Sequence, residues 1–320
     1  MQAITYRRYG SPDELRLEEI DTPTPGDDDI LIKVHAVSIN GSDMEKLVGK
    51  PLYARLAGLR KPGNPILGSD IAGTVAIVGK SVTEFKPGDQ VFGEIPGYHS
   101  GFAEYVCTTG QTMLHKPTGL SFAEAAAIPQ AGVIAYKGIV ETGQVQPGQS
   151  VLINGGGGSA GSFAIPLAKL AGAEVTGVDN GEKLEFMRSL GADHVIDYSR
   201  EDFTQNSARY DLILDVIAQR GVAAYVRSLK PNGACYVVGG AVGVLVQILL
   251  LGALAGRRAD KRVRMLAVPQ SREGLIPITR LCESGHIAPA IDRQFPLSQV
   301  PAAMHYVLDG HAKGKVVIII

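Results

Sequence analysis

Apolar residues recur along this chain in two rhythms. Up to about residue 125 they come in short runs, at 30–37, 71–78 and 90–92. Turn-rich stretches separate them: TPTPGDDD, KPGNP, FKPGDQ and IPGYHSG. Short strands punctuated by Pro-Gly turns predict a β-rich barrel or sandwich. Near Ser121 the rhythm changes, because Ser121 and Glu124 form a capping-box pattern that opens a helix. Strands are then expected over 150–154, 174–178, 194–196, 210–216 and 235–238. Helices are expected between them over 159–171, 182–190 and 222–229, the last stopped by Pro231. These strands are near-continuous apolar runs, the pattern of a parallel sheet covered on both faces. With right-handed crossovers that is a doubly wound α/β fold. In the tail, 262–268 and 315–320 read as strands, and 272–284 and 300–308 as helices.

Length and composition narrow the picture. With 320 residues, 45% of them apolar and 20% charged, the chain has ordinary globular composition and room for two domains. A net charge of −1 gives no basic excess, so nucleic acid is not an expected partner. Cys107, Cys235 and Cys282 are odd in number and far apart, which argues for thiols in a reducing, cytoplasmic compartment rather than a disulfide framework. The segment 237–256 is long and apolar enough to need a membrane check. Its five glycines and the strand before it favour an interior, subunit-contact or pocket-lining helix over a span.

The sharpest chemical signal is Asn154-Gly155-Gly156-Gly157-Gly158-Ser159-Ala160-Gly161. It follows a strand and opens a helix. Gly155, Gly158 and Gly161 fall at three-residue spacing, which lets backbone approach a pyrophosphate at a helix N-terminus. Asp179 ends the next strand, where a carboxylate reaches adenosine ribose hydroxyls. Asp179 would repel a 2′-phosphate, whereas Lys183 would attract one. The cofactor is therefore NADPH or NADH, left open between the two.

These residues sit among blocks that together resemble the medium-chain dehydrogenase/reductase superfamily, in its quinone oxidoreductase-like branch. The blocks are VHAVSINGSD, GSDIAGTVAIVG, FKPGDQVFG, GFAEYV, LSFAEAAAIPQAGVIAY, SLGADHVIDY and GHAKGKVVI, and they span nearly the whole chain. The resemblance implies a GroES-like β-barrel domain from residues 1–125 with 264–320, and a Rossmann domain from 126–263. It also implies that Asn180 lies near the adenosine ribose, Tyr198 near the adenine, and Val216, Ile217, Gly239 and Gly240 on the nicotinamide side. Relatives often carry Thr where Ile134 stands here, so carboxamide binding would rest on the backbone.

Zinc-dependent members of the superfamily place a Cys where this chain has Asn40, a His at Ser69 and a Cys near Gln130. Amide and hydroxyl groups are poor zinc ligands beside thiolate and imidazole, so no metal is expected. Without a Lewis acid, hydride transfer suits an acceptor that is already electron-poor. Asn40, Asp43 and Tyr53 are the candidate catalytic residues. Asn40 would be a hydrogen-bond donor and Tyr53 a phenolic proton or hydrogen-bond source, while Asp43 also fits a helix cap. Tyr98 and His99 lie in a Gly-rich loop that would flank the site. The expected activity is NAD(P)H-dependent reduction of a small hydrophobic quinone or α,β-unsaturated carbonyl. The alternatives are a zinc-free carbonyl or alcohol dehydrogenase and a non-catalytic dinucleotide-binding redox sensor. A homodimer is compatible with base rates.

Overall fold

The computed structural model describes residues 1–253, 255 and 260–320. Two compact units emerge. One comprises Met1–Gln130, Gln270–Glu283 and Ile291–Ile320, and the other Ala131–Pro269 with Ser284–Ala290.

The first unit is built from short strands because turn residues interrupt the chain so often. A two-stranded ribbon pairs β1 (Gln2–Thr5) with β2 (Arg16–Glu19). The main sheet begins with β3 (Asp29–Ser38), β4 (Asp70–Val78), β5 (Gln90–Glu94), β6 (Tyr105–Thr109) and β7 (Met113–His115). Helix α1 (Gly41–Val48) follows β3, and α2 (Phe122–Ala127) follows β7. Ile4, Ile32, Val34, Val91, Phe102 and Met113 pack the core. The Ser121 capping box is formed as expected: its Oγ accepts from the Glu124 N–H, and Glu124 Oε2 accepts from the Ser121 N–H. Helix α3 (Pro129–Tyr136) follows directly.

The second unit holds β8 (Ser150–Asn154), β9 (Glu174–Asp179), β10 (His194–Asp197), β11 (Tyr210–Asp215), β12 (Leu229–Val237) and β13 (Arg262–Met265). All are parallel, in the order β10-β9-β8-β11-β12-β13. Helices α4 (Ser159–Leu170), α5 (Leu184–Ser189), α6 (Val222–Ser228) and α7 (Val242–Gln247) join them. The chain winds outward from β8 and then restarts on β8's other side at β11. That reversal is the topological switch point where doubly wound sheets bind ligands.

The chain returns to the first unit through α8 (Arg272–Glu283), β14 (Ile291–Pro296), α9 (Val300–Leu308) and β15 (Lys315–Ile319). β15 pairs antiparallel with β3 and parallel with β14.

Several expectations shift. The helix expected over 182–190 begins as a 3₁₀ turn, Gly181–Lys183, before α5. Asn180 starts that turn by accepting from the Glu182 N–H. The strand expected over 235–238 starts six residues earlier, at Leu229. Pro231 does not break it, because the β11–β12 register shifts between Tyr210 and Leu212 and the intervening segment bulges. Asn232 takes the left-handed conformation there, at φ 64°. In the apolar 237–256 stretch, α7 continues into a wider turn, Ile248–Gly252. Ile248 is buried, but Leu249 and Leu250 are 69% and 73% exposed, so of the interior, subunit-contact and pocket-lining readings the interior one does not hold for this chain. Leu254, Gly256, Arg257 and Arg258, which were read with that stretch, lie outside the described residues. No helix among the described residues is long and apolar enough to cross a membrane.

Replacing Ser121 by Ala removes the oxygen that accepts the Glu124 N–H. A loss of about 1 kcal/mol in unfolding free energy is expected, read from the urea midpoint.

Candidate functional site

In the second unit the glycine-rich loop follows β8 at the switch point. Gly155 turns the chain at φ 86°, and a Cβ there would lie 2.5 Å from Val216 Cγ2. A Cβ on Gly161 would lie 2.2 Å from the Gly155 carbonyl oxygen. The loop and the start of α4 therefore close up only with glycine at both positions. Gly158 is the N-cap of α4 and has no side-chain oxygen to occupy the first-turn N–H groups, while Ser159 and Ala160 form the first turn. First-turn N–H groups at the positive end of the helix dipole fit a pyrophosphate.

Around this loop the expected cofactor residues come together. Asp179 Oδ2 accepts from the Gly157 N–H at 3.0 Å and Oδ1 from the Asn180 N–H at 2.9 Å. Lys183 Nζ lies 3.5 Å from Asp179 Oδ1, and both side chains are buried. The acid expected to be free for ribose hydroxyls thus already braces the loop and is charge-paired. The Tyr198 N–H reaches the Asp179 carbonyl at 3.1 Å, which leaves its half-exposed ring beside the same strand end.

On the other side of β8, Asn154 Nδ2 donates to Asp215 Oδ1 at 2.9 Å. Asp215 also accepts from the Ile217 N–H and the Tyr225 hydroxyl. Burial pushes the Asp215 carboxyl above its usual range. This acid ends the YDLILD strand and was not expected to matter; an acid closing an apolar run was the signal for it. Val216 and Ile217 line the Gly155 side. Gly239 and Gly240 join them, because the Ala218 N–H donates to the Gly239 carbonyl and the Ala241 N–H to the Ala218 carbonyl.

In the first unit, Asn40 ends β3's extension and is the N-cap of α1. The Asn40 N–H donates to Asp43 Oδ2 at 2.8 Å, and the Gly68 N–H donates to Asp43 Oδ1 at 2.9 Å. Asp43 is fully buried with both oxygens committed to backbone, so the structure makes it a capping residue rather than a group facing substrate. Burial pushes its carboxyl up to about 7. Lys315 Nζ donates to Asn40 Oδ1 at 2.6 Å, which fixes the amide orientation. Among the described residues the Asn40 Nδ2 then has no acceptor at hydrogen-bonding distance, though the amide lies near enough to Asp70 to favour that carboxylate.

Tyr53 is apart from this cluster. It sits in a short 3₁₀ turn, Leu52–Arg55, is 50% exposed and donates to Glu45 Oε2 at 3.0 Å. Burial and Glu45 push its hydroxyl up to about 12. Lys46 donates to the Gly97 carbonyl and stands over the Tyr98 ring. His99 Nδ1 meets Asn64 Nδ2 at 3.0 Å and Ser100 Oγ at 2.8 Å. Ile134 is half-buried on α3.

Ser69 and Gln130 fall in the same network as Asn40. Ser69 Oγ is 3.4 Å from Asp70 Oδ1, and the Gln130 N–H donates to Asp70 Oδ2 at 2.9 Å. Among the described residues no group of three or more His, Cys, Asp and Glu is arranged to hold a metal ion.

Two family models match: an alcohol dehydrogenase GroES-like domain over residues 26–138 and a zinc-binding dehydrogenase over residues 190–318. A 2-methylene-furan-3-one reductase from Solanum lycopersicum is 35% identical over 99% of this chain and 79% of its own length. The chain belongs to the zinc-free, quinone oxidoreductase-like branch of the medium-chain dehydrogenase/reductase superfamily. A chloroplastic NADPH-dependent alkenal/one oxidoreductase from Arabidopsis thaliana is 33% identical, over 99% of this chain and 79% of its own length. A solved quinone oxidoreductase from Coxiella burnetii superposes with a TM-score of 0.90 at 30% identity, covering 100% of this chain and 99% of that one. For a member of this branch, the first unit is the GroES-like domain and the second is the Rossmann-like parallel sheet.

Replacing Gly161 by Ala drives a methyl group into the Gly155 carbonyl. At least a tenfold loss of NAD(P)H affinity is expected, measured by quenching of nicotinamide fluorescence on titration, with the fold retained by circular dichroism.

Proposed function

We propose that this chain is an NAD(P)H-dependent reductase of quinones or α,β-unsaturated carbonyls that works without zinc. The observation that carries this reading is the glycine cradle at the switch point, closed at Gly155 and Gly161, with Gly158 as the N-cap of α4. Bound NAD(P)H supplies the hydride. In our reading Gly155, Gly158, Ser159, Ala160 and Gly161 hold the pyrophosphate, and Asp179, Asn180, Lys183 and Tyr198 hold the adenosine end. Asn154, Val216, Ile217, Gly239 and Gly240 form the nicotinamide side.

The barrel residues support an electron-poor acceptor. Hydride addition to such a substrate leaves a developing oxyanion, which needs hydrogen-bond donors rather than a Lewis acid. The Asn40 Nδ2, in an amide whose Oδ1 end is fixed by the Lys315 ammonium, is in our reading such a donor. The names of the tomato, Arabidopsis and Coxiella relatives support quinones and enones as the substrate class.

For the cofactor, Lys183 offsets the charge of Asp179, so the acid does not bar a 2′-phosphate. We therefore favour NADPH over NADH. We further propose a reducing, cytoplasmic compartment, in keeping with three free cysteines. A homodimer is proposed as well, because the exposed leucines after α7 form an apolar face that association would cover.

The test is loss of nicotinamide absorbance with benzoquinone and with crotonaldehyde, in the presence of a chelator. Turnover that the chelator does not change is expected, faster with NADPH. Tight NADPH binding without turnover on either acceptor would favour the redox-sensor reading instead. Lys183→Ala is expected to lower the NADPH-to-NADH ratio of kcat/KM by about tenfold, the loss of one charge-assisted contact.

A further inference from the structure

Asp70 on β4 and Glu94 on β5 are directly opposite each other in the antiparallel ladder. Two like charges facing across a ladder repel. Here they are also bridged by one residue. The Gln130 N–H donates to Asp70 Oδ2 at 2.9 Å, and its Nε2 donates to Glu94 Oε1 at 2.9 Å. Gln130 further contacts Ser42 Oγ at 3.3 Å, at the start of α1.

The two acids are not equivalent. Asp70 is fully buried, and burial pushes its carboxyl above its usual range, but that push is opposed by the buried Lys315 ammonium, the Gln130 N–H, the amide of Asn40 and the Ser69 hydroxyl. Glu94 is partly exposed, and its direct partners are the neutral amides of Gln130 and Gln270. Asp43 adds a second negative charge behind the pair, while Lys315 faces all three carboxylates. On the outer side Glu94 meets Tyr98, whose ring lies under Lys46 and in the field of Glu45. The inner acid is the better placed to be ionised. The outer one is left holding a proton at the edge of the network that contains Asn40, Ser69 and Gln130.

We propose that Glu94 is the proton donor of the reductase reaction, a catalytic residue that quenches the enolate formed after hydride addition. The inference rests on the reading of the chain as an enone reductase. The acceptor's β-carbon gains a hydride with its electron pair, and the π electrons of the double bond move to the carbonyl oxygen. The Glu94 O–H bond then breaks heterolytically. Its proton forms the α-carbon C–H bond, and its electrons stay on the carboxylate. Water restores the proton from the exposed side. Burial and the charge of Asp70 push the Glu94 carboxyl up to about 8, so the acid form predominates at neutral pH.

Glu94→Gln keeps the size and the contacts to both glutamines but cannot donate a proton in this way. With crotonaldehyde and NADPH, kcat is expected to fall about 100-fold, the usual contribution of a general acid, with KM changed far less. Wild-type kcat should decline as pH rises through about 8, the decline expected from loss of the acid form. That limb should vanish in Glu94→Gln and persist in Glu94→Asp. A second readout uses the cofactor-free protein: infrared difference titration should show a protonated carboxyl component that disappears near pH 8, is missing in Glu94→Gln and persists in Asp43→Asn, which removes the acid titrating near 7. A Glu94→Gln enzyme that keeps the alkaline limb or the full rate, or a wild type lacking that component, overturns the assignment. A wild type that reduces neither crotonaldehyde nor benzoquinone overturns the reductase reading itself, which separates the two failures.

Discussion

The chemistry of the first unit depends on one buried ammonium. Lys315 is completely buried on β15 and lies in the field of Asp43, Asp70 and Glu94. Removing a charge from water costs several kcal/mol unless partners offset it. Here the partners outnumber the cation. Asp43 is relieved in part by two backbone N–H groups, Asp70 by the Gln130 N–H, and Glu94 by hydrogen bonds from neutral amides. One positive charge cannot balance three negative ones in a poorly solvated space, so protons must complete the balance. The same ammonium sets the amide orientation of Asn40. A strand at the far end of the chain thereby determines which way a donor points at the start of α1.

The second unit meets its constraint differently. Its key contacts are backbone, and side chains serve to hold that backbone. Asp179 accepts from two main-chain N–H groups, and the Lys183 methylenes lie where a Cβ on Gly157 would be, 2.7 Å from Cδ. Asp215 performs the same service across the switch point, tying Asn154, Ile217 and Tyr225 together. The two acids flank the strand that feeds the glycine loop. One braces the adenosine side and the other the side of Val216 and Ile217. An acid at a strand end in this sheet therefore reads first as a brace for the loop, and its part in recognising a ligand comes through what it holds.

Much of this was legible from residue patterns, and the exceptions have physical causes. The apolar runs that became β8, β9 and β11 are buried on both faces, so they carry their own signal. β14 was silent, because IDRQFP lies at a sheet edge with mostly exposed polar residues. Pro231 misled because a bulge removes the need for its missing N–H. The glycine loop was legible because steric demands are local. The acid network was not. Asp70, Glu94, Gln130 and Lys315 are far apart along the chain, and only Gln130 drew notice, as a position where zinc-dependent members carry a Cys. The link between the two acids is the β4–β5 register, which hydropathy does not encode.

That register also explains how a barrel with no metal donors at Asn40, Ser69 and Gln130 can retain a charged centre. A divalent cation would be neutralised by thiolate ligands brought to it directly, with imidazole completing its coordination. An amide, a hydroxyl and a second amide cannot do this, but they can carry hydrogen bonds between charges set further back. Gln130 spans Asp70 and Glu94, Asn40 accepts from Lys315, and Ser69 contacts Asp70. The buried positive charge here is a side chain on β15, and Asn40, Ser69 and Gln130 are neutral connectors around it. An electrophile fixed at one point is thereby exchanged for donors and a mobile proton spread along a network. Such an arrangement does little to activate an unpolarised alcohol. It suits a substrate whose own conjugation already draws the hydride and which needs its new negative charge met by N–H groups and a proton.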